Sequence, residues 1–318
     1  MESARDKYTG EIIDAEQLWI MNSVNDSGYM CIGCIASVIP CSYLPENKVR
    51  AHFRIKDKHE TDCDIDGDER LVKRALKQRV TTKDGFPGRF PNRLVLRDAR
   101  PVTGSNGSPA VSTASNGTIK NVSDVLSEAR RERRWAANTI RPICRTFINF
   151  PFDRDLSLAI SGIAANTYQR IFLCLNRDKV VKYNEPHIFY APIAWKAPAS
   201  DDNQIEIQLS YGEWKDRKLV NPYRLRVNWK NWSAAKRNYI SKDIEISRLE
   251  SIAAKNSDSK KMGWLFFIGR QDEEDLTLFH VDDHRLICCF VVEMVYPPRP
   301  TESTAKKWPP RRLVRKNY

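Results

Sequence analysis

Cys31, Cys34, His59 and Cys63 are the residues whose types and spacing imply a definite chemistry: a C-x2-C pair, a strand-like stretch, then H-x3-C. Three soft thiolates and one imidazole, split into two short-spaced halves, form the donor set of a tetrahedral zinc site. Four protein ligands leave no position open to water, so a zinc ion held this way supports a fold instead of activating a nucleophile. His52 lies in the strand-like VRAHFRI and is the alternative ligand; a histidine packed beside the site accounts for it equally well.

The elements that must position these ligands are short. SGYMCIGC turns tightly around the first cysteine pair, IASVIPCSY and VRAHFRI read as a hairpin, and HETDC opens a short helix or turn. On a helix, His59 and Cys63 would share one face and meet the Cys31–Cys34 knuckle. LWIMNSV alternates as a strand, residues 68–79 (DERLVKRALKQR) carry helical periodicity, and LVLRD returns to strand. Residues 1–66 therefore form a small β-rich zinc module of treble-clef or ribbon-like type, and 67–100 a helix–strand connector.

Residues 101–122 hold almost no large apolar side chain and read as a flexible linker. Ser123 is a candidate N-cap for a helix over 124–138 (DVLSEARRERRWAAN), which Pro142 interrupts or kinks. The domain over 123–296 is strand-rich: YQRIFLCLN, KVVKY, HIFYAPIAW, QIEIQLS, YRLRVNW, GWLFFIGR, DLTLFHV and RLICCFVVEMV, broken by a helix of about 25 residues beginning at Trp232. The overall expectation is an α+β chain whose larger domain is an OB-like barrel with one long helix, or a mixed sandwich. Residues 297–318, with seven basic side chains and one acid, read as a disordered basic tail.

Of 318 residues, 41% are hydrophobic and the formal net charge is +12, a balance that favours a polyanionic partner. The cations coincide with aromatics between Trp195 and Arg237, where four of the eight tryptophans fall. Trp214, Lys215, Arg224, Arg226, Trp229, Lys230, Trp232, Lys236 and Arg237 are the candidate nucleic-acid contacts, because single strands bind where bases stack on aromatic faces and phosphates meet cations. In YRLRVNW the arginines share one strand face, while Tyr223 and Trp229 share the other. Surface stacking and core packing are both open for those two rings.

YMCIGC, VRAHFRI and DKHETDC together resemble the zinc-finger-like N-terminal region of the competence protein CoiA-like family, over roughly residues 28–66. That resemblance implies a bacterial protein in DNA-related work. Full-length members continue into a nuclease-like domain with a Glu-x-Gln signature, to which Glu206-Ile207-Gln208 is similar. The acidic partner expected on a neighbouring strand is missing: Asp201 and Asp202 are too close in sequence, and Asp178 lies in a turn.

Other constellations are weaker. His280-Val281-Asp282-Asp283-His284 reads as a hairpin turn between two strands, and Cys144, Cys174, Cys288 and Cys289 read as buried small hydrophobes. No P-loop, H-E-x-x-H, G-x-S-x-G or Rossmann glycine pattern is present. No apolar signal core or membrane-length apolar run is present either, which places the chain in the cytoplasm. The expected function is non-catalytic binding of nucleic acid, single-stranded DNA or RNA, with structural zinc. The alternatives are a metal-dependent nuclease using Glu206 and Gln208, and a zinc-containing adaptor that meets a protein partner through the tail.

Overall fold

Short strands separated by tight turns build the N-terminal sheet: β1 (Ser3–Asp6), β2 (Ile12–Asp14), β3 (Tyr29–Met30), β4 (Ser37–Cys41) and β5 (His52–Ile55). Their order is β2-β1-β3-β4-β5, antiparallel throughout, over a core of Ile13, Leu18, Tyr29, Val38 and Phe53. The computed structural model describes residues 1–21, 23–44, 46–47, 49–59, 63–83, 85–96 and 134–298. The linker expected at 101–122 and all but the first two residues of the tail expected at 297–318 lie outside the described residues, as does most of the helix expected at 124–138.

The described residues of LWIMNSV are not strand. Asp14 and Gln17 form a reciprocal capping box, with the Asp14 amide donating to Gln17 Oε1 at 2.9 Å, and the chain turns into a 3-10 helix over Ala15–Ile20. Helix α1 (Asp64–Ala75) follows the sheet. Next come β6 (Phe90–Leu94) and β7 (Arg134–Ala137), paired in parallel. The end of the expected helix at 124–138 is therefore strand, because pairing with β6 overrides the helical preference of RWAA. Pro142 sits in the first turn of α2 (Arg141–Asn149), where its missing N–H costs nothing, so it starts a helix instead of kinking one. Phe86 and Phe90 lie in the same apolar cluster as Phe147 and Phe172, so the connector is part of the main core.

After the one-turn α3 (Tyr168–Ile171) come β8 (Phe172–Cys174), β9 (Ile188–Pro192), β10 (Ala199–Ser200), β11 (Gln204–Lys215), β12 (Lys218–Asn228), α4 (Ala234–Asn256), β13 (Met262–Phe267), β14 (Arg270–Gln271), β15 (Leu278–Val281) and β16 (Ile287–Val292). They form two sheets, β16-β13-β9-β8 and β10-β11-β12-β15-β14. The first is buried on both faces. Tyr190, Trp264, Phe266 and Cys288 pack toward α2, where Phe147 stacks on Phe172 with centroids 3.9 Å apart. Their neighbours Phe189, Leu265, Phe267 and Cys289 join Ile207, Tyr223, Leu225, Val227 and Phe279 of the second sheet and Ile240 and Ile244 of α4.

The chain is thus mixed α+β with mostly sheet. The barrel does not close: the two sheets touch through the bridge Ile193–Leu209 and remain separate. The VDDH segment is not a hairpin turn. β15 pairs in parallel with β12, whereas β16 pairs with β13, so residues 282–286 carry the chain from one sheet to the other.

Buried charge fastens the N-terminal sheet to this body. Asp243 of α4, 1% exposed, accepts from Arg50 Nη1 at 2.6 Å, from Arg141 Nη2, and from the Cys289 amide at 3.0 Å. Arg141, also buried, faces Glu16 at 3.4 Å, and Trp19 packs against Tyr239 with centroids 5.8 Å apart. Burial works to raise the Asp243 pKa, but Arg141 and Arg50 outweigh it and hold the carboxyl below its usual range. Glu16 goes the other way: burial dominates and raises it.

Candidate metal centre and basic surfaces

The knuckle begins where β3 ends. The Cys31 amide donates to the Ala36 carbonyl at 2.8 Å, closing the turn, and the Gly33 amide donates to Cys31 Sγ at 3.3 Å. Hairpin β4–β5 carries the chain back, and His59 follows it. Cys63 is the N-cap of α1, so the second pair precedes the helix and does not share a helical face as expected. The helix N-terminus adds positive potential beside the Cys63 sulfur.

These four side chains converge. Cys31 Sγ and Cys63 Sγ are 3.6 Å apart, Cys34 Sγ and His59 Nδ1 3.5 Å, and Cys63 Sγ and His59 Nδ1 3.3 Å. All four donor atoms lie within 4.8 Å of one another. A tetrahedral ion with metal–sulfur bonds of about 2.3 Å requires sulfur–sulfur edges of about 3.8 Å. The four residues can therefore hold a metal ion. The Cys31 and Cys63 sulfurs are far beyond disulfide bonding distance, and none of the eight cysteines is in a disulfide. Burial pushes the Cys31 thiol pKa up, so a thiolate there depends on a cation close by. His52 is outside the cluster: its Nδ1 lies 3.2 Å from the Arg50 carbonyl.

Elsewhere the structure redistributes the expected contacts. Trp229 is 5% exposed, its Nε1 donating to the Asp201 carbonyl, and Tyr223 is fully buried, so both rings fill the core instead of offering a stacking face. Arg224 and Arg226 reach solvent but are occupied. Arg226 Nη2 meets Glu206 Oε2 at 2.9 Å, Arg224 Nη1 meets Glu206 Oε1 at 3.1 Å, and Arg224 Nη2 also bonds Asp275. Desolvation raises the Glu206 pKa, yet the hydrogen bonds from Arg226 and Arg224 outweigh it and keep the carboxylate ionised below its usual range. With each oxygen engaged by a guanidinium group, Glu206 is an ion-pair partner of Arg224 and Arg226. Gln208 stands opposite Arg224 on the same ribbon.

The remaining candidates divide between the two ends of β12, which at about 3.3 Å per residue lie roughly 35 Å apart. At one end Trp232 is pinned through Nε1 to the Asp282 carbonyl, beside exposed Lys230 and half-buried Lys236 and Arg237. At the other, Trp214 is 43% exposed, its Nε1 donating to the Arg177 carbonyl at 3.0 Å. Lys215, Arg217 and Lys218 flank it around a two-residue turn in which Asp216 and Arg217 both have positive φ, 50° and 62°. An arginine in the left-handed region is uncommon and costs about 1 kcal/mol or more.

No family model, curated protein or solved structure matches the chain. The site must therefore be understood from its own geometry. Among the described residues no helix is long and apolar enough to cross a membrane.

Proposed function

We propose that this chain is a non-catalytic nucleic-acid-binding protein built around a structural zinc ion. Three thiolates and an imidazole suit zinc by donor softness, and a knuckle, a hairpin and a following helix are the parts from which a treble-clef module is built. The CoiA-like resemblance of residues 28–66 points the same way. The observation that carries the binding half is the β11–β12 tip. Trp214 is held by a backbone hydrogen bond with part of its ring in solvent, among Lys215, Arg217 and Lys218, none of which has a carboxylate in ion-pair range among the described residues. A fixed aromatic face among unpaired cations is what a single strand needs, and each stacked base contributes about 1–3 kcal/mol.

The test is binding of a labelled single-stranded oligonucleotide across a salt series, together with metal analysis of the purified protein. One zinc per chain is expected, with affinity that falls steeply with salt. Trp214→Ala is expected to weaken binding by about 5- to 150-fold, which is that stacking energy converted at 1.36 kcal/mol per decade. A metal-free protein, or affinity indifferent to both salt and Trp214, overturns the reading.

A further inference from the structure

Two guanidinium groups converge on one carbonyl inside the metal knuckle. Arg5 of β1 donates through Nη2 to Ile32 O at 3.1 Å, and Arg89, just before β6, donates through Nη1 to the same oxygen at 2.7 Å. Their terminal nitrogens can be no farther apart than the sum of those distances. Like charges this close repel, a cost that the shared carbonyl oxygen offsets in part and an anion beside them would offset further. Among the described residues neither arginine has a carboxylate in ion-pair range, and the Nε of each is buried without a hydrogen-bond partner.

Both arginines border open space. A cleft of about 360 Å³ is lined by Arg5, Arg89, Trp135 and Glu11. It shares Ile12, Arg89 and Trp135 with a longer cleft of about 920 Å³ that runs between the N-terminal sheet, α1 and α2 past Arg70, Lys73 and His59. Glu2 and Glu69 line the longer cleft as well, but Glu2 is taken up by Arg145 Nε at 2.5 Å. Arg5 and Arg89 have donors to spare, and the half-buried Trp135 ring stands beside them.

We infer that Arg5 and Arg89 form a phosphate subsite that grips one phosphodiester of a single strand lying in these clefts, and that the metal centre sets its geometry through Ile32. Guanidinium forks match phosphate oxygens two at a time, and the terminal nitrogens not spent on Ile32 are the donors such an anion would meet. Ile32 lies between Cys31 and Cys34, so the carbonyl on which both arginines are aligned is fixed by the same turn that presents the sulfurs to the metal. The strand path rests on the nucleic-acid-binding reading above; the subsite is separate from the Trp214 tip.

The experiment compares full-length wild-type protein, Arg5→Gln/Arg89→Gln and Trp214→Ala on a labelled oligothymidylate over a salt series, with metal content and melting temperature measured on each. The double variant is expected to bind at least about tenfold more weakly at low salt, with the slope of log K against log salt smaller by about 0.7 for each lost phosphate contact. Chelation is expected to weaken wild type to a similar degree and to add little to the double variant. A second measurement needs no variant: the oligonucleotide is expected to protect Arg5 and Arg89 from phenylglyoxal, read by peptide mass. Wild-type affinity and slope in the double variant, or unprotected arginines in a protein whose binding still depends on Trp214, overturns the subsite alone. Absence of oligonucleotide binding by wild type overturns both proposals.

Discussion

Asp243→Asn tests the buried charge network most directly. The substitution keeps the side-chain shape and removes the charge that faces Arg141, 3% exposed, and Arg50, 24% exposed. Arg141 would keep one carboxylate, Glu16 at 3.4 Å, whose own burial favours its neutral form. The asparagine would also have one oxygen for three donors: Arg50 Nη1, Arg141 Nη2 and the Cys289 amide. Removing one partner of a buried pair costs about 3–5 kcal/mol, chiefly because the other charge stays buried. At about 2–4 °C per kcal/mol for a chain of this size, the melting temperature should fall by roughly 6–20 °C. Urea and thermal denaturation at neutral pH measure it. A single-variant loss below about 1 kcal/mol would refute the reasoning.

Three further outcomes follow from particular residues. Burial lowers the His284 pKa from 6.5 to about 4 against a smaller opposing effect of Asp283, so the unfolded chain binds more protons between those values. Stability should therefore rise with pH across that window by about 3 kcal/mol from this group, and His284→Gln should flatten the rise in pH-dependent urea midpoints. Gly212 has φ of 149° opposite Pro222 at a register shift in β11–β12, and a Cβ there would stand 2.2 Å from the Asn221 carbonyl oxygen. Gly212→Ala should cost about 2 kcal/mol or more and displace the Trp214 tip, visible as a changed tryptophan emission. Cys34→Ser should lower metal content below one per chain and expose residues 1–59 to proteolysis, leaving the β13–β16 core protected from hydrogen exchange.

The metal cluster was legible because ligand chemistry is local: a knuckle needs two residues between its sulfurs whatever surrounds it. Helix α4 and strands β11, β12, β13 and β16 were legible from periodicity, and the alternation in YRLRVNW correctly separated the arginine face from the Tyr223–Trp229 face. Which face met solvent and which a second layer was not written in that alternation, since burial depends on what packs across it. RWAA and the segment after His280 failed for one reason: each strand pairs in parallel with a segment distant in sequence, and local patterns carry no trace of such a partner. Arg5 and Arg89 escaped notice because they lie 84 positions apart, and only the fold brings both to Ile32.

The sheet β16-β13-β9-β8 has one further consequence. Phe266 and Phe267, adjacent in sequence, belong to different apolar clusters, as do Phe189 and Tyr190 and Cys288 and Cys289. The four strands act as a party wall between two rooms, and damage to the plaster on one side is felt on the other. Neither half of residues 134–298 can be trimmed away to leave a self-sufficient remainder, and calorimetry of the full-length chain should record no separate endotherm for either half.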